Sequence, residues 1–457
     1  MFKLIIKFIL IFPSIIFPDK IFYIEMKASE EILTSKICSK TKDKQILNQI
    51  FPLSKDEYVL ISPIKNPKIC GGKKKFKKIK IKSISLIEFE GNIIFIPFLD
   101  LKNYNYILER DEWGNWKVSH ILDLKQKQEK NTSTVEYFSK KNNNKISERA
   151  VYFWDTIEIL KSKKEWQTFL NNLKKTKINK VYIQIPYKIN EKISWTKKRK
   201  VFFDFIGFLL KNEIDLEFLD GYKGFALEPF HKTVLNQIRN LKYFWNKHLE
   251  KYPFPPIHLD IEPYLLRFYN NLNYKEIYNE YINLLKKIKV NYPDIELNLD
   301  IPFWLDSLDE EILKEIIKYS DGITIMAYRS KVYGSNGVID ITEREVSLAK
   351  KESKKVYIAI ETMELPPDKV YGVFEAKGEE FPLYLHKTIK ENLFIISEKP
   401  SEYGIKVVEE TPSDFISLYK YSWEEIENFA EEISSYYGDK IDGIAIHHWG
   451  SLEEKIK

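Results

Sequence analysis

Cysteine is scarce, an excess of one charge sign is absent, and no apolar run reaches the length of a membrane span. The two cysteines, Cys38 and Cys70, both fall in the N-terminal third of the chain, and neither has the surroundings of a nucleophile. In an oxidising compartment they could pair, which spacing alone does not decide. Lys and Arg number 72 against 66 Asp and Glu, so the net charge of +6 over 457 residues gives a weak long-range field. Nucleic acid is therefore not an expected partner. The local exception is GGKKKFKKIKIK, where Lys fills seven of the positions 73 to 82, and Lys80 and Lys82 alternate with Ile79 and Ile81 as in a solvated edge strand. The opening MFKLIIKFILIFPSIIFPDK sets Lys3 and Lys7 before an apolar run, Phe8 to Phe17. That run is too short to cross a bilayer comfortably and matches a signal-peptide core, although no Ala-x-Ala cleavage pattern follows. Residues 1–25 are expected to be a signal peptide or an N-terminal anchor, and the protein to be secreted or associated with the cell envelope.

What the chain does have is length, ordinary globular composition and aromatic rings. With 44% hydrophobic and 30% charged residues it reads as neither disordered nor polytopic. The length fits a barrel of roughly 250 residues plus a small domain. The 28 Tyr and 9 Trp offer flat faces that suit sugar rings, although large cores use aromatics as well.

Residues 30–125 carry strand-like runs broken by Gly-Asn turns and are expected to form a small β-rich or α+β accessory module. The polar, Asn- and Lys-rich stretch 126–149 reads as a linker. From 150 to 457 short apolar strands alternate with amphipathic helices. The strands are AVYFWDT, KVYIQIPY, IDLEFLDGY, PIHLDIEPY, IELNLDIPFW, GITIMAYRS, KVYIAIETMEL and DGIAIHHWG. Helix starts show capping-box patterns at Ser162 to Glu165, Ser307 to Glu310 and Ser422 to Glu425. Eight such units predict an α/β fold, a (β/α)8 TIM barrel. An insertion of roughly 55 residues, about 366–421, follows strand seven. It is expected to stand over the active-site face, with Tyr371, Phe374 and Tyr384 as sugar contacts. Only SLEEKIK follows strand eight, too little for a normal last helix, so the N-terminal region or linker is expected to cover that side.

PPIHLDIEPY places His258, Asp260 and Glu262 at alternate positions between Leu259 and Ile261. Barrel strands point alternate side chains into the lumen, so these three face inward. The same phase turns Asp300, Met326, Tyr328 and Glu361 inward. Two carboxylates at i and i+2 repel one another, which raises the proton affinity of one and suits general acid catalysis. Further candidates at strand ends are Trp154, Asp155, Asp220, Trp304, Arg329, His447 and Trp449. Metal binding is the rival reading of the His and Asp residues. The metal-dependent barrels need H-x-H on strand one and FWDT has none, so no metal or other cofactor is expected.

The motifs DIE at 260 to 262, MAY at 326 to 328 and Trp449 on strand eight resemble the family 18 glycoside hydrolases, the chitinase-like barrels. The resemblance covers the barrel alone and is partial. His258 and Pro255 stand where that family has two aspartates, and Arg329 stands where it has an Asp. It implies Glu262 as the acid that protonates the glycosidic oxygen, Asp260 and Tyr328 as the groups that hold an N-acetyl nucleophile, and Trp449 as the floor of the sugar subsite. The expected partner is an oligosaccharide or polysaccharide substrate. Glu262 and Glu361 also resemble the acid/base and nucleophile of two-glutamate retaining barrels. A barrel that binds carbohydrate without cleaving it is the alternative of a different class.

Overall fold

The computed structural model describes residues 21–27, 36–38, 49–54, 57–62, 68–70, 80–87, 92–96, 99–110, 116–124, 148–186, 195–266, 271–387 and 393–456. The segment before residue 21 and linker residues 126–147 lie outside the described residues. The chain divides into two compact units, residues 1–125 with 371–408, and residues 126–370 with 409–457.

The second unit is a closed barrel of eight parallel strands: β1 (Glu148–Phe153), β2 (Lys180–Gln184), β3 (Asp215–Asp220), β4 (Ile257–Leu259), β5 (Leu297–Pro302), β6 (Gly322–Met326), β7 (Lys355–Glu361) and β8 (Gly443–His447). Closure comes from β8, which pairs with β1 and with β7. The eight expected strands are all present, most of them ending sooner than their apolar pattern. Each strand sends its branched or aromatic residues to the helix shell, where Phe153 meets Phe169 at 4.8 Å and Phe218 meets Trp245 at 5.8 Å between ring centroids. Truncating such a fully buried ring to Ala costs about 3–5 kcal/mol.

The lumen is plugged by Ala150, Tyr152, Tyr182, Leu219, Ala359 and Ala445, all buried. Small residues make room for large ones. A side chain at Gly443 would stand 2.3 Å from Glu148 O and 2.6 Å from the Tyr357 ring. Gly443 is thus the space that Tyr357 fills.

Of the three expected capping boxes, Ser422 with Glu425 forms in full. Ser162 caps without a side-chain bond. Ser307 lies inside the helix Leu305–Lys318, and Asp309 Oδ1 instead accepts from Glu311 N at a break in that helix. The last helix also differs from expectation. The chain turns helical at Trp449 itself, and Trp449–Ile456 packs beside Lys163–Lys175, with Lys175 Nζ donating to Ile456 O at 2.8 Å. The strand-eight side therefore has a short helix of its own.

In the first unit the described residues are mostly strands. One sheet orders Gln49–Ser54, Glu57–Ser62, Ile21–Lys27 and Lys80–Ile87, so the end of the lysine-rich run is an edge strand. Lys36–Cys38 pairs antiparallel with Lys68–Cys70. The register sets Cys38 opposite Lys68 and Cys70 opposite Lys36, leaving the cysteines on a diagonal. A seven-stranded sheet runs Asn92–Phe95, Leu393–Ser397, Leu383–Lys387, Tyr403–Thr411, Asp368–Glu375, Tyr104–Arg110, Trp116–Asp123. Four of its strands come from the insertion after β7 and three from the N-terminal module. The insertion aromatics pack within this unit. Tyr371 meets Trp116 at 4.7 Å, Phe374 stacks on Phe381 at 6.1 Å, and Tyr384 is buried.

Candidate active site

The polar groups of the barrel lumen form a chain of contacts that starts at its N-terminal end. Lys180 Nζ lies 2.6 Å from Glu148 Oε2, 2.6 Å from the Tyr357 hydroxyl and 3.4 Å from Glu217 Oε1. Glu217 Oε2 meets His258 Nδ1 at 2.8 Å, and His258 Nε2 lies 3.0 Å from Asp300 Oδ1. Asp300 Oδ1 also accepts from the Tyr152 hydroxyl at 2.5 Å. With a carboxylate on each nitrogen, His258 carries both protons. Burial would lower its pKa, but Asp300 and Glu217 outweigh burial and push it up to about 10. Burial pulls Glu217 the other way, yet His258 and Lys180 hold its carboxyl below the usual range.

Glu217, Lys180 and Tyr152 were not among the sequence candidates, although the lumen phase identifies them. Glu217 alternates with Leu216 and Phe218, and Lys180 and Tyr182 alternate with Val181 and Ile183. A polar residue in the inward phase of an otherwise apolar strand is the signal.

Toward the C-terminal mouth, β4 leaves the ladder after Leu259, and Asp260 and Glu262 follow before the short helical turn Pro263–Leu265. Gly221 allows this, because a side chain there would stand 2.2 Å from Asp260 O. The Asp260 N–H then donates to Asp220 O at 3.0 Å. The partly exposed Glu262 accepts from the Tyr264 hydroxyl at Oε2. The Tyr264 ring meets Trp304 edge-on at 4.9 Å.

Tyr328, beyond the end of β6, packs with Trp154 against the lumen plug. Burial, and then the charges of Glu361, Asp260, Asp300 and Glu262, hold its phenol protonated, well above the ordinary value. Four carboxyls thus act on the charge of one hydroxyl.

Glu361, at the end of β7, is 2% exposed and fully engaged. Its Oε1 accepts from Thr362 N at 2.8 Å and Met363 N at 2.7 Å, and its Oε2 meets His447 Nδ1 at 2.7 Å. Trp154 Nε1 donates to His447 Nε2 at 3.2 Å. An indole N–H can only donate, so in this arrangement His447 is neutral with its proton on Nδ1. Burial favours that neutral form. Glu361 opposes it and raises the His447 pKa above the ordinary value.

The lumen and mouth therefore bring together His258, Asp260, Glu262, Asp300, Tyr328, Glu361, His447 and Trp154, with Trp304 beside Glu262 through Tyr264. Met326 follows Thr324 in the same inward phase and is buried. Four other candidates lie elsewhere. Asp220 is buried with its carboxyl on Gln237 of the helix Glu228–His248, and burial pushes its pKa up to about 7. Asp155 is exposed at the start of the helix Thr156–Ile159, and His448 feels its charge. The Arg329 guanidinium lies over Phe303 at 4.5 Å and Phe415 at 5.4 Å and donates to Asn336 Oδ1. Trp449, the expected floor of the sugar subsite, is 5% exposed and packs against Phe169 at 4.5 Å in the helix shell. The chain turns helical before the inward phase reaches it, which sets its ring among the shell residues. Among the described residues no group of three or more His, Cys, Asp or Glu is disposed to hold a metal ion.

No protein-family model matches the chain, and no curated protein matches it in sequence. Solved structures similar to it include a chitinase from Chromobacterium violaceum, 12% identical, covering 68% of this chain and 99% of that one at a TM-score of 0.35. The spore cortex-lytic enzyme SleL of Bacillus cereus is 12% identical over 70% of this chain and 76% of its own, at 0.36. The GH39 enzyme from Xanthomonas axonopodis pv. citri is 10% identical over 67% and 60%, at 0.41. Likenesses at these values assign neither a family nor an activity, and the site has to be read from its own residues.

Proposed function

We propose that the chain is a glycoside hydrolase that cleaves O-glycosidic bonds of a polysaccharide or cell-wall glycan at the C-terminal mouth of the barrel, with Glu262 as general acid. The observation that carries this is the division of labour among the carboxyls. Asp300 is committed to His258 and Tyr152 and is buried, and Glu361 is committed to His447 and two backbone N–H groups. Glu262 is the partly exposed glutamate of the group, with Tyr264 donating to one of its oxygens. Crowding of like charge in one space favours keeping a proton within the group, as a general acid requires.

A retaining two-glutamate mechanism would need a Glu361 oxygen facing the sugar carbon. Three hydrogen bonds and near-complete burial argue against that role. Asp260 and Tyr328 fit a substrate-assisted route better, since a phenol held protonated among carboxylates is a donor for an N-acetyl carbonyl. The basic and then apolar start of the chain supports a secreted or envelope-associated enzyme. The test is hydrolysis of bacterial cell-wall and extracellular glycans by the full chain and by Glu262→Gln, which keeps shape but supplies no proton. Turnover should fall by about 10² to 10⁴ with binding retained. Undiminished hydrolysis by Glu262→Gln would remove the acid assignment.

A further inference from the structure

A glycan site needs an aromatic face for the sugar ring, and the residue expected to supply it, Trp449, is enclosed in the helix shell against Phe169. The mouth has another indole. Trp154 follows β1 in the inward phase of Ala150 and Tyr152, rests on the buried lumen plug and remains partly exposed. Its single donor is spent on His447 Nε2, and the other nitrogen of His447 is spent on Glu361 Oε2. Glu361 Oε1 in turn takes two backbone N–H groups just past the end of β7. The chain of contacts thus runs from the indole through two side chains into the backbone. His447 and Glu361 are also register partners on β8 and β7, so barrel pairing sets their separation.

We propose that Trp154 is the platform on which a pyranose ring stacks, and that His447 and Glu361 are positioning residues that fix its indole ring rather than groups that touch substrate. This rests on the reading of the mouth as a glycan site. Apolar C–H faces of a pyranose match an aromatic face, and an indole anchored at its only polar atom presents that face with little orientational freedom to lose on binding. It also accounts for a buried glutamate and a partly buried histidine at the mouth that the acid mechanism does not use.

The test uses the full chain carrying Glu262→Gln as parent, with chitotetraose as first probe and cellotetraose as second, and Kd measured by calorimetry. Trp154→Ala should raise Kd about ten-fold or more, the scale of a lost aromatic contact. Trp154→Phe keeps a ring without the N–H and should raise it a few-fold. His447→Leu should match Trp154→Phe, and the double variant should be no worse than either single one, because both cut the same bond. His447→Gln has an amide oxygen for the indole and an NH₂ for Glu361, and should bind within about two-fold of the parent. Should His447→Leu not fold, His447→Ala, which also removes the acceptor for the indole N–H, takes its place in the cycle with Trp154→Phe. An unchanged Kd in Trp154→Ala, or effects of the two sites that multiply, would overturn the inference, as would a parent that binds neither probe. Failure of the acid assignment shows separately, as hydrolysis that Glu262→Gln leaves intact while the binding cycle holds.

Discussion

His258 sits where two strands and two acids meet, and replacing it by Gln tests whether the lumen is held by a buried cation. Its folded pKa of about 10 exceeds the ordinary 6.5. The folded state therefore keeps a proton that the unfolded chain gives up between these values. The stabilisation is fully present below about 6.5 and is lost as pH rises through about 10. The shift corresponds to about 5 kcal/mol at 1.36 kcal/mol per pKa unit. Coupling to Glu217, Asp300 and Lys180 makes about 3–5 kcal/mol the working range, which is also the cost of removing one partner from a buried ion pair. Urea unfolding followed by tryptophan fluorescence at pH 6, 7, 8 and 9 gives the comparison. His258→Gln should be less stable by that amount at pH 6. The gap should narrow by about 1 kcal/mol per pH unit above 6.5, since the wild type then loses what the variant never had. A gap constant from pH 6 to 9 would refute the charged histidine, and a gap that widens would reverse its sign.

Other perturbations address separate parts of the chain. Glu345, fully buried on the helix Val338–Lys351, has its carboxyl pushed up to about 9 by burial and by Asp306. The folded state therefore binds this proton more tightly than the unfolded chain, and stability falls as pH rises from about 4.5. Glu345→Gln should gain on the wild type by about 3 kcal/mol between pH 4.5 and 7, read from urea midpoints, and a pH-independent difference would contradict this. Tyr328→Phe and Asp260→Asn should each lower kcat strongly on N-acetylated glycans if the acetamido group is the nucleophile, and steady-state kinetics beside Glu361→Gln would decide, since a two-glutamate mechanism makes Glu361→Gln the disabling change. Fractionation of cells should recover the protein outside the cytoplasm or with the envelope, and a full-length chain found only in the cytosol would end the export proposal.

The barrel was legible because its strands are short apolar runs with a strict two-residue phase, and that phase is a backbone property that helix packing does not alter. The same phase turned His258, Asp300 and Glu361 inward. Sequence could not show that the insertion after β7 would share a sheet with the N-terminal module. Sheet partners separated by more than two hundred residues leave no local pattern, and a strand reads the same whichever sheet it joins. Capping boxes were legible only where nothing competed. Ser422 had an open helix start, whereas Ser307 lost the role to Asp309 within a broken helix.

How far the strand phase can be trusted depends on what holds the backbone extended once the ladder ends. Glu361 and His447 are still ladder partners, so their inward direction and their 2.7 Å contact follow from register alone. Asp260 and Glu262 lie beyond the ladder, yet no helical turn begins until Pro263. Asp260 N–H is tied to Asp220 O, Glu262 keeps φ −107° and ψ 83°, and Pro263 cannot donate to a continuing strand. Trp449 stands two residues past the end of β8, but there helix begins at once and 100° per residue replaces 180°. Its ring swings into the shell, whereas the Trp154 indole stays at the mouth. Within three residues of a strand end one expected site residue is thus preserved and another displaced, and the deciding factor is the hydrogen bonding of the backbone rather than the side chain.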